Sequence, residues 1–463
     1  MNIIHTRIVD DTPARSAGYR PLALVALCLA VLVAQVDTAV VNLAMRPIGA
    51  YFDAGVGAMQ WVIDSYNLVY AVLLLTGGLL ADLYGRRLIF MAGGLVLTLA
   101  SLGCAFAPSI AILIAARAVA GLGAALIIPA SLANIRVVWQ QPAERGRALG
   151  IWAACNGLAL AIGPTLGGVL IHHFGWPSVF LIAIPLGVAA LLLAPLSIPE
   201  SRDPVGRRFD APAQVLGMVA LGALAFAAIE SHASWTTAAL ALAVSAISAL
   251  LFIRTEAAKG AAALVPLDIF RIREFRGAAV ATAGMTFGMY GTLFLVPLTW
   301  QSTGALDATQ AGLALMPMAL VFVVVSPFTG ALVRNFGARI VTSGGVSIIG
   351  LGLLLIAIGA ARSSILTEEA GLVLTGLGMG FATGPLMGVA VGAVAAARSG
   401  TASSLINVAR MAGATIGVAI LGSVFAFAGG GRDGLGAAMV LGGCVQLACA
   451  AFAWSARPKE GQD

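Results

Sequence analysis

Residues 78–87 read GLLADLYGRR, and residues 330–339 read GALVRNFGAR. Gly78 aligns with Gly330, Leu80 with Leu332, Gly85 with Gly337 and Arg87 with Arg339, and each decapeptide closes a long apolar run at a short basic turn. A pattern repeated at the same place after two apolar runs marks an internal repeat. Counting outward from the two copies makes the second and tenth runs equivalent. Runs 1 to 6 and 9 to 14 then form two parallel halves, with runs 7 and 8 inserted between them. Chance recurrence of glycine and arginine at loop ends is the competing reading, and the equal sense in which both halves cross argues against it.

The composition decides the solvent. Of the 463 residues 60% are hydrophobic and 10% charged, with a mean hydropathy of +0.99; a soluble domain carries roughly a quarter charged residues. Runs of about 20 apolar residues, each long enough as a helix to cross a hydrocarbon core about 30 Å thick, fall near residues 22–44, 61–81, 88–107, 109–132, 147–171, 177–198, 212–230, 235–253, 277–300, 310–333, 338–360, 366–388, 401–427 and 435–456. The expected fold class is an all-α polytopic membrane protein of fourteen spans, two six-helix halves plus two inserted helices. Its expected parts are a segment at 1–21, a six-helix half at 22–198, a linker with two helices at 199–276, a second six-helix half at 277–456 and a tail at 457–463. The first run lacks a small-residue cleavage site and carries Asp37 and Asn42, so it reads as a retained helix rather than a signal peptide. Cys28, Cys104, Cys155, Cys444 and Cys449 fall inside apolar runs without metal or redox spacing and read as small core residues. The net charge of +6 comes from basic residues scattered between runs, which speaks against a nucleic-acid face.

Those basic residues carry the topology. An even number of spans puts both termini on one side, and with that side cytoplasmic the inner loops hold Arg86, Arg87, Arg136, Arg145, Arg147, Arg202, Arg207, Arg208, Arg254, Lys259, Arg271, Arg273, Arg276, Arg334, Arg339 and Arg398, besides the basic termini. The outer loops hold Arg46, Arg362 and Arg432. This asymmetry sets the orientation. Trp61, Trp176, Trp235 and Trp300 fall at predicted outer span ends and Trp139 and Trp454 at inner ones, where an amphipathic ring favours the interface.

The loop after the second span resembles the signature of the major facilitator superfamily, G-x-L-a-D-r-x-G-r-r, at Gly78, Leu80, Ala81, Asp82, Gly85, Arg86 and Arg87, with Leu83 replacing a usual basic residue. Span 4 resembles the proton-antiporter motif R-x-x-q-G-x-g at Arg117, Gly121 and Gly123, with Ala120 in the glutamine position. Span 5 resembles the antiporter motif ending G-P-x-x-G-G at Gly157, Gly163, Pro164, Gly167 and Gly168. DTAVVNLAMRP, from Asp37, resembles the D-x-T-v-v-N-x-A-l-P element of the fourteen-spanner drug:proton antiporters of the EmrB/QacA type, with Arg46 in the expected proline position and Pro47 after it. The resemblance covers nearly the whole chain, including SSLINVARMAGATIGVAILGS in span 13. It implies a major facilitator fold in a bacterial inner membrane. It also implies export of drugs, dyes or metabolites in exchange for protons, with no cofactor and as a monomer or with an accessory efflux partner.

Read on their own chemistry, Asp37 lies about seven residues, or roughly 10 Å, below the outer end of span 1, and Arg117 lies roughly 12 Å deep in span 4. An ionised group at that depth is expensive unless paired. A pair that opens and closes would let Asp37 load and release a proton; a static ion pair holding spans 1 and 4 is the alternative. Asp64 lies about one turn below the outer face and reads either as a second proton or cation site or as an interfacial acid in water. The loop residues Gly78, Asp82, Gly85, Arg86 and Arg87, together with Gly163, Pro164, Gly167 and Gly168, read as a conformational gate, or as packing alone. Asp82 is expected to reach basic groups or helix amino termini across the seam between halves. The cavity is expected to draw on Asn42, Tyr66, Asn67, Tyr70, Asn156, Met285, Met289, Tyr290, Met316, Asn407 and Arg410, whose thioether, aromatic and amide groups suit adaptable recognition. Glu230, His172 and His173 sit at outer span ends as headgroup or solvent residues, and two histidines without a further ligand make no metal site.

One proton moving through about 100 mV and one pH unit supplies about 3.7 kcal/mol, enough to hold a neutral solute at a gradient of a few hundredfold. No glycine-lysine phosphate loop is present to couple ATP instead. No buried acid is evident in spans 9 to 14, so the expected solute is neutral or singly cationic. A symporter on the same fold, and a receptor or assembly partner without transport, are the rival readings; a membrane enzyme lacks a nucleophile, base and metal set. Reporter fusions after Trp235 and after Pro458 should report outside and inside respectively. An extracellular carboxyl terminus would overturn the span count.

Overall fold

The computed structural model describes residues 16–202, 210–231, 234–260, 263, 265, 267–394 and 399–456, with some helical side chains, among them Leu75, Asn156, Gly157 and Pro164, outside the described set. The expectations placed on the side chains of Asn156, Gly157 and Pro164, on Arg207, Arg208 and Arg398, and on the segments 1–15 and 457–463 therefore lie outside it.

Among the described residues all regular secondary structure is helical. In hydrocarbon each backbone N–H and C=O needs a partner within its own segment, which a helix provides. The helices are α1 (Arg20–Phe52), α2 (Val56–Tyr84), α3 (Arg86–Ala105), α4 (Ile110–Val138), α5 (Pro142–Phe174), α6 (Ser178–Ser197) and α7 (Ala211–Glu230). They continue as α8 (Trp235–Lys259), α9 (Arg273–Ser302), α10 (Ala308–Phe336), α11 (Ala338–Arg362), α12 (Ile365–Gly392), α13 (Ser399–Phe427) and α14 (Gly431–Ser455). Twelve of them are long and apolar enough to cross a membrane, and thirteen when α2, bent by 52° between Val56–Leu74 and Thr76–Tyr84, is taken as one span. The 33-residue helix α5 stands where the fifth span is expected. Within α1 the α-helix gives way to a 3₁₀ turn at Val41–Ala44 before Met45–Phe52. Ser109, Ser234 and Ser364 cap α4, α8 and α12, and Asp307 with Gln310 forms a capping box on α10.

Two groups of helices result. In the first, α2 and α3 pack on α4, and α1 packs on α5 and α6; in the second, α11 packs on α12 and α14, α9 on α13 and α14, and α10 on α12. The groups meet through α2 against α13 and α5 against α10, while α7 touches both α2 and α13 and carries α8 on its outside. Burial separates centre from rim: the apolar window of α9 is 89% buried and that of α8 17%. Small residues allow these approaches, since lipid tails offer no hydrophobic drive between helices. A Cβ on Gly77 would overlap the Ala125 carbonyl where α2 meets α4, and one on Gly345 would lie 2.8 Å from the Gly378 oxygen where α11 meets α12.

The repeat reappears in the packing. Gly85 (φ 129°) and Gly337 (φ 83°) take backbone conformations disfavoured for other residues at the starts of α3 and α11. Arg87 donates from Nη1 to the Ile198 carbonyl past the end of α6, and Arg339 donates from Nη2 to the Trp454 carbonyl at the end of α14. Two sequence readings need correction. Trp300 is fully buried, donating its indole N–H to Glu368 rather than lying at an interface, because α9 is central. Cys444 is exposed on α14 instead of in the core. Gly376→Ala, whose added methyl would strike the Met318 carbonyl of α10, should lower the melting temperature of purified protein by several degrees, as overpacking of about 1–3 kcal/mol requires. Gly344→Ala, with nothing within 4 Å, should leave it unchanged.

Candidate functional site

Asp37 on α1 and Arg117 on α4 meet in the first helix group. Arg117 Nη1 pairs with Asp37 Oδ2, each side chain about 1% exposed, and Arg117 Nε donates to the Val62 carbonyl of α2 at 3.0 Å. The guanidinium lies 4.5 Å from the centroid of the Tyr66 ring and 5.9 Å from that of Phe180, within range of cation–π attraction. Tyr66 in turn donates its hydroxyl to the Ala34 carbonyl at 3.1 Å, so α1, α2 and α4 are tied at one point. Gly121, one turn beyond Arg117, makes this possible: a Cβ there would collide with the Tyr66 carbonyl and push α4 away from α2. The span 4 motif thus has a local cause, a guanidinium and the glycine that lets it reach. Asp37 Oδ1 is buried with no hydrogen-bond partner among the described residues, which leaves an oxygen on which a proton can reside.

Asp64 on α2 is fully buried, and both of its carboxyl oxygens lack a partner among the described residues. The alternative of an interfacial acid in water is overturned, since α2 turns Asp64 into the bundle near its far end, the end opposite the arginine-rich loops. Ser65 Oγ and both polar atoms of the Asn67 amide are buried without partners as well.

The cavity expectations divide. Tyr70 on α2, Tyr290 on α9 and Arg410 on α13 interact with one another across the seam, and Arg410 Nε has no hydrogen-bond partner among the described residues. Tyr66 and Tyr70 stand 6.1 Å apart, centroid to centroid. Met285 takes a hydrogen bond from Thr383 at 3.6 Å, Met289 is buried and Met316 half-buried. Asn42 and Asn407 instead spend an amide N–H on carbonyls of their own helices, Thr38 and Ser403, at 3.0 Å each.

The gate residues also divide. Asp82 pairs with Arg86 of its own loop at 2.9 Å rather than with a group across the seam, because the turn at Gly85 between the end of α2 and the start of α3 folds the two side chains together. Gly78 lies 3.5 Å, by its would-be Cβ, from Pro129 on α4. Gly163 and Gly167 face Ala39 and Val40 of α1, inside one group, while Gly168 faces Ala308 and Thr309 of α10 across the seam. Hydrogen bonds from side chains of one group to backbone carbonyls of the other include a set at the far end, Gln60 to Val418 and Ala419, Gln301 to Leu43, and Thr309 to Gly168, while Tyr70 and Arg410 meet farther inward. At the basic end Arg20–Glu144, Arg87–Glu200 and Arg339–Trp454 stay inside one group, and Asp210–Lys259 inside the α7–α8 pair.

Two acids escaped the sequence reading. Glu200 accepts from the backbone N–H of Arg87 and of Leu88 at 3.1 Å each, a carboxylate on the amino terminus of α3; its signal was an acid after span 6 facing a basic turn. Glu368 contradicts the expectation that spans 9 to 14 hold no buried acid: it is fully buried, takes the Trp300 indole N–H, and faces Arg432 at 3.4 Å. It lies in the first turn of α12, near the outer end of the expected span 366–388. His172 and His173 are exposed and stack edge to face on each other.

The family profile described as Major Facilitator Superfamily matches residues 27–418. The chain is 37% identical over 408 residues to the multidrug resistance protein Stp of Mycobacterium tuberculosis, covering 88% of this chain and 76% of that protein. It is 32% identical over 421 residues to the multidrug efflux pump LfrA of Mycolicibacterium smegmatis, covering 90% and 83% respectively. In fold it resembles a D-xylose-proton symporter at a TM-score of 0.68 and 14% identity, over 96% of this chain and 99% of that one.

Arg117→Met alone strands a buried carboxylate, which typically costs about 3–5 kcal/mol, whereas removing both charges is close to neutral. Thermal unfolding of purified protein should therefore show a large loss for Arg117→Met and substantial recovery in Asp37→Asn/Arg117→Met. A double variant as unstable as the single one would show that the pair does not hold the three helices.

Proposed function

The chain belongs to the Major Facilitator Superfamily, a family of transporters, and on that premise we propose that it is a proton-driven exporter of small amphipathic, drug-like or metabolite molecules. It is a multi-pass membrane protein. We take it to have fourteen spans in two six-helix halves with α7 and α8 inserted, and both termini on the cytoplasmic side. The names of Stp and LfrA, which are a multidrug resistance protein and a multidrug efflux pump, support the exporter reading. The observation that carries the coupling is the buried Asp37–Arg117 pair, backed by Tyr66 and with one carboxyl oxygen left over. Opening that pair frees Asp37 to take a proton, and re-forming it expels the proton, since Arg117 then neutralises the carboxylate in place of hydrogen.

Substrate is assigned to the seam where Tyr70, Tyr290 and Arg410 meet, with Met285, Met289 and Met316 as its deformable apolar wall. Asp64 is the second acid on this path. Glu368 is occupied by Trp300 and Arg432, so it adds no free charge for a substrate cation, and a neutral or singly cationic solute remains the better fit. The hydrogen bonds that tie the groups at the far end, with the ion pairs of the basic end kept inside single groups, agree with a state open toward the arginine-rich side, the one that admits solute from the cytoplasm.

In proteoliposomes, Asp37→Asn should insert and fold yet fail to concentrate solute against its gradient, because an amide keeps the shape of the carboxyl and does not titrate. Retained uphill transport would move the proton site elsewhere, with Asp64 next. Proton movement into the compartment that loses solute, read in inverted vesicles, separates antiport from symport.

A further inference from the structure

Gln60 lies about one turn into α2 from its far end, next to Met59, where the helix becomes buried. Its Nε2 donates to two carbonyls of α13, Val418 at 3.0 Å and Ala419 at 2.9 Å. The side chain is fully buried. Gly422 makes room for it, since a Cβ at that position would overlap the Gln60 amide nitrogen. α7 backs the junction: Ala225 and Ile229 pack with Ala419 in a small apolar cluster against which Trp61 and Ala228 rest, and Ser423 donates to the Ala228 carbonyl. The amide therefore joins the two groups beneath an apolar cover.

What lies behind it gives the contact a purpose. Helices α2 and α13 run antiparallel, with Gln60 against Val418 and Ala419 and Tyr70 against Arg410. That register puts Asp64, one turn inward from Gln60, opposite Thr415. Both are buried, and neither Asp64 carboxyl oxygen nor Thr415 Oγ1 has a partner among the described residues. While water is kept out, an unpaired carboxyl in such a place is tolerated only with a proton on it, and it can ionise at low cost only once water reaches it. The residue one turn outward decides which.

We propose that Gln60 is the latch of the far-end seam: its amide holds α2 on α13, and Asp64 meets water from that side only when these two hydrogen bonds open. The latch is neutral on both sides, an amide on backbone carbonyls, so protons in the far compartment do not act on it directly. They reach the carboxyl after the seam has parted. Gln60 acts through the positions of α2 and α13 and touches no substrate. Gln301 on Leu43 and Thr309 on Gly168 hold the neighbouring corners of the same closure. The inference rests on the transporter reading, because a seam that never parts needs no latch.

The test uses the full chain, purified in detergent, with native cysteines replaced by alanine and a single Thr415→Cys as reporter behind the latch. A water-soluble maleimide should label this thiol slowly while Gln60 is present. Gln60→Met, which keeps length and apolar volume but has no donor, should raise the rate about tenfold, the change produced by losing about 1.4 kcal/mol of closure. Gly422→Ala, which displaces the amide from the opposite helix, should do the same should Gln60→Met fold poorly. Labelling at the unsubstituted rate in both variants overturns the latch. Because labelling needs no substrate and no gradient, faster labelling in a protein that exports nothing would leave the latch standing and remove the exporter reading, and the reverse result would do the opposite.

Discussion

A chain that is 60% hydrophobic has to satisfy its backbone without water, and that constraint shapes everything else here. Helices follow from it directly. Their association does not, because hydrocarbon competes equally well for leucine and valine. The contacts that select this bundle are places where one backbone touches another: Gly77 on Ala125, Gly121 on Tyr66, Gly345 on Gly378, Gly168 on Ala308. Gly121 links that packing to chemistry, since the approach of α4 to α2 is also what delivers Arg117 to Asp37.

Polar groups inside the bundle fall into two kinds. Arg117, Glu368 and Gln60 are anchored, each to groups on other helices, and hold those helices in place. Asp64, Asn67 and the Nε of Arg410 are buried with bonds unmade among the described residues, and unmade bonds in a dry interior are costly enough to call for a use. These three lie on α2 and α13, the helices that meet across the seam, where a substrate or a proton could complete them.

The polar contacts between groups are asymmetric along the membrane normal. Gln60, Gln301 and Thr309 close one end, while at the other Asp82, Arg87 and Arg339 bond within their own group. Rocking one group against the other exchanges such contacts without unfolding a helix, because few hydrogen bonds are involved and all use side chains. Helix α7 sits on this seam against α2 and α13, whereas α8 lies almost wholly on the outside.

Hydropathy alone determined the helical class and the place of the apolar helices, because a bilayer imposes length and polarity residue by residue along the chain. The facing of Asp37 and Arg117 was also within reach, since depth along a helix can be counted. What a span faces cannot be counted, because it depends on which neighbour packs there. Trp300 looked interfacial and is buried because α9 is central; Asp64 looked shallow and is fully buried; Asp82 was expected to reach across the seam and turns to Arg86. Glu200, Glu368 and Gln60 gave little sign in sequence, for each gains its role from a partner between about 70 and 360 residues away, and only the tertiary packing of helices brings those partners within hydrogen-bond reach.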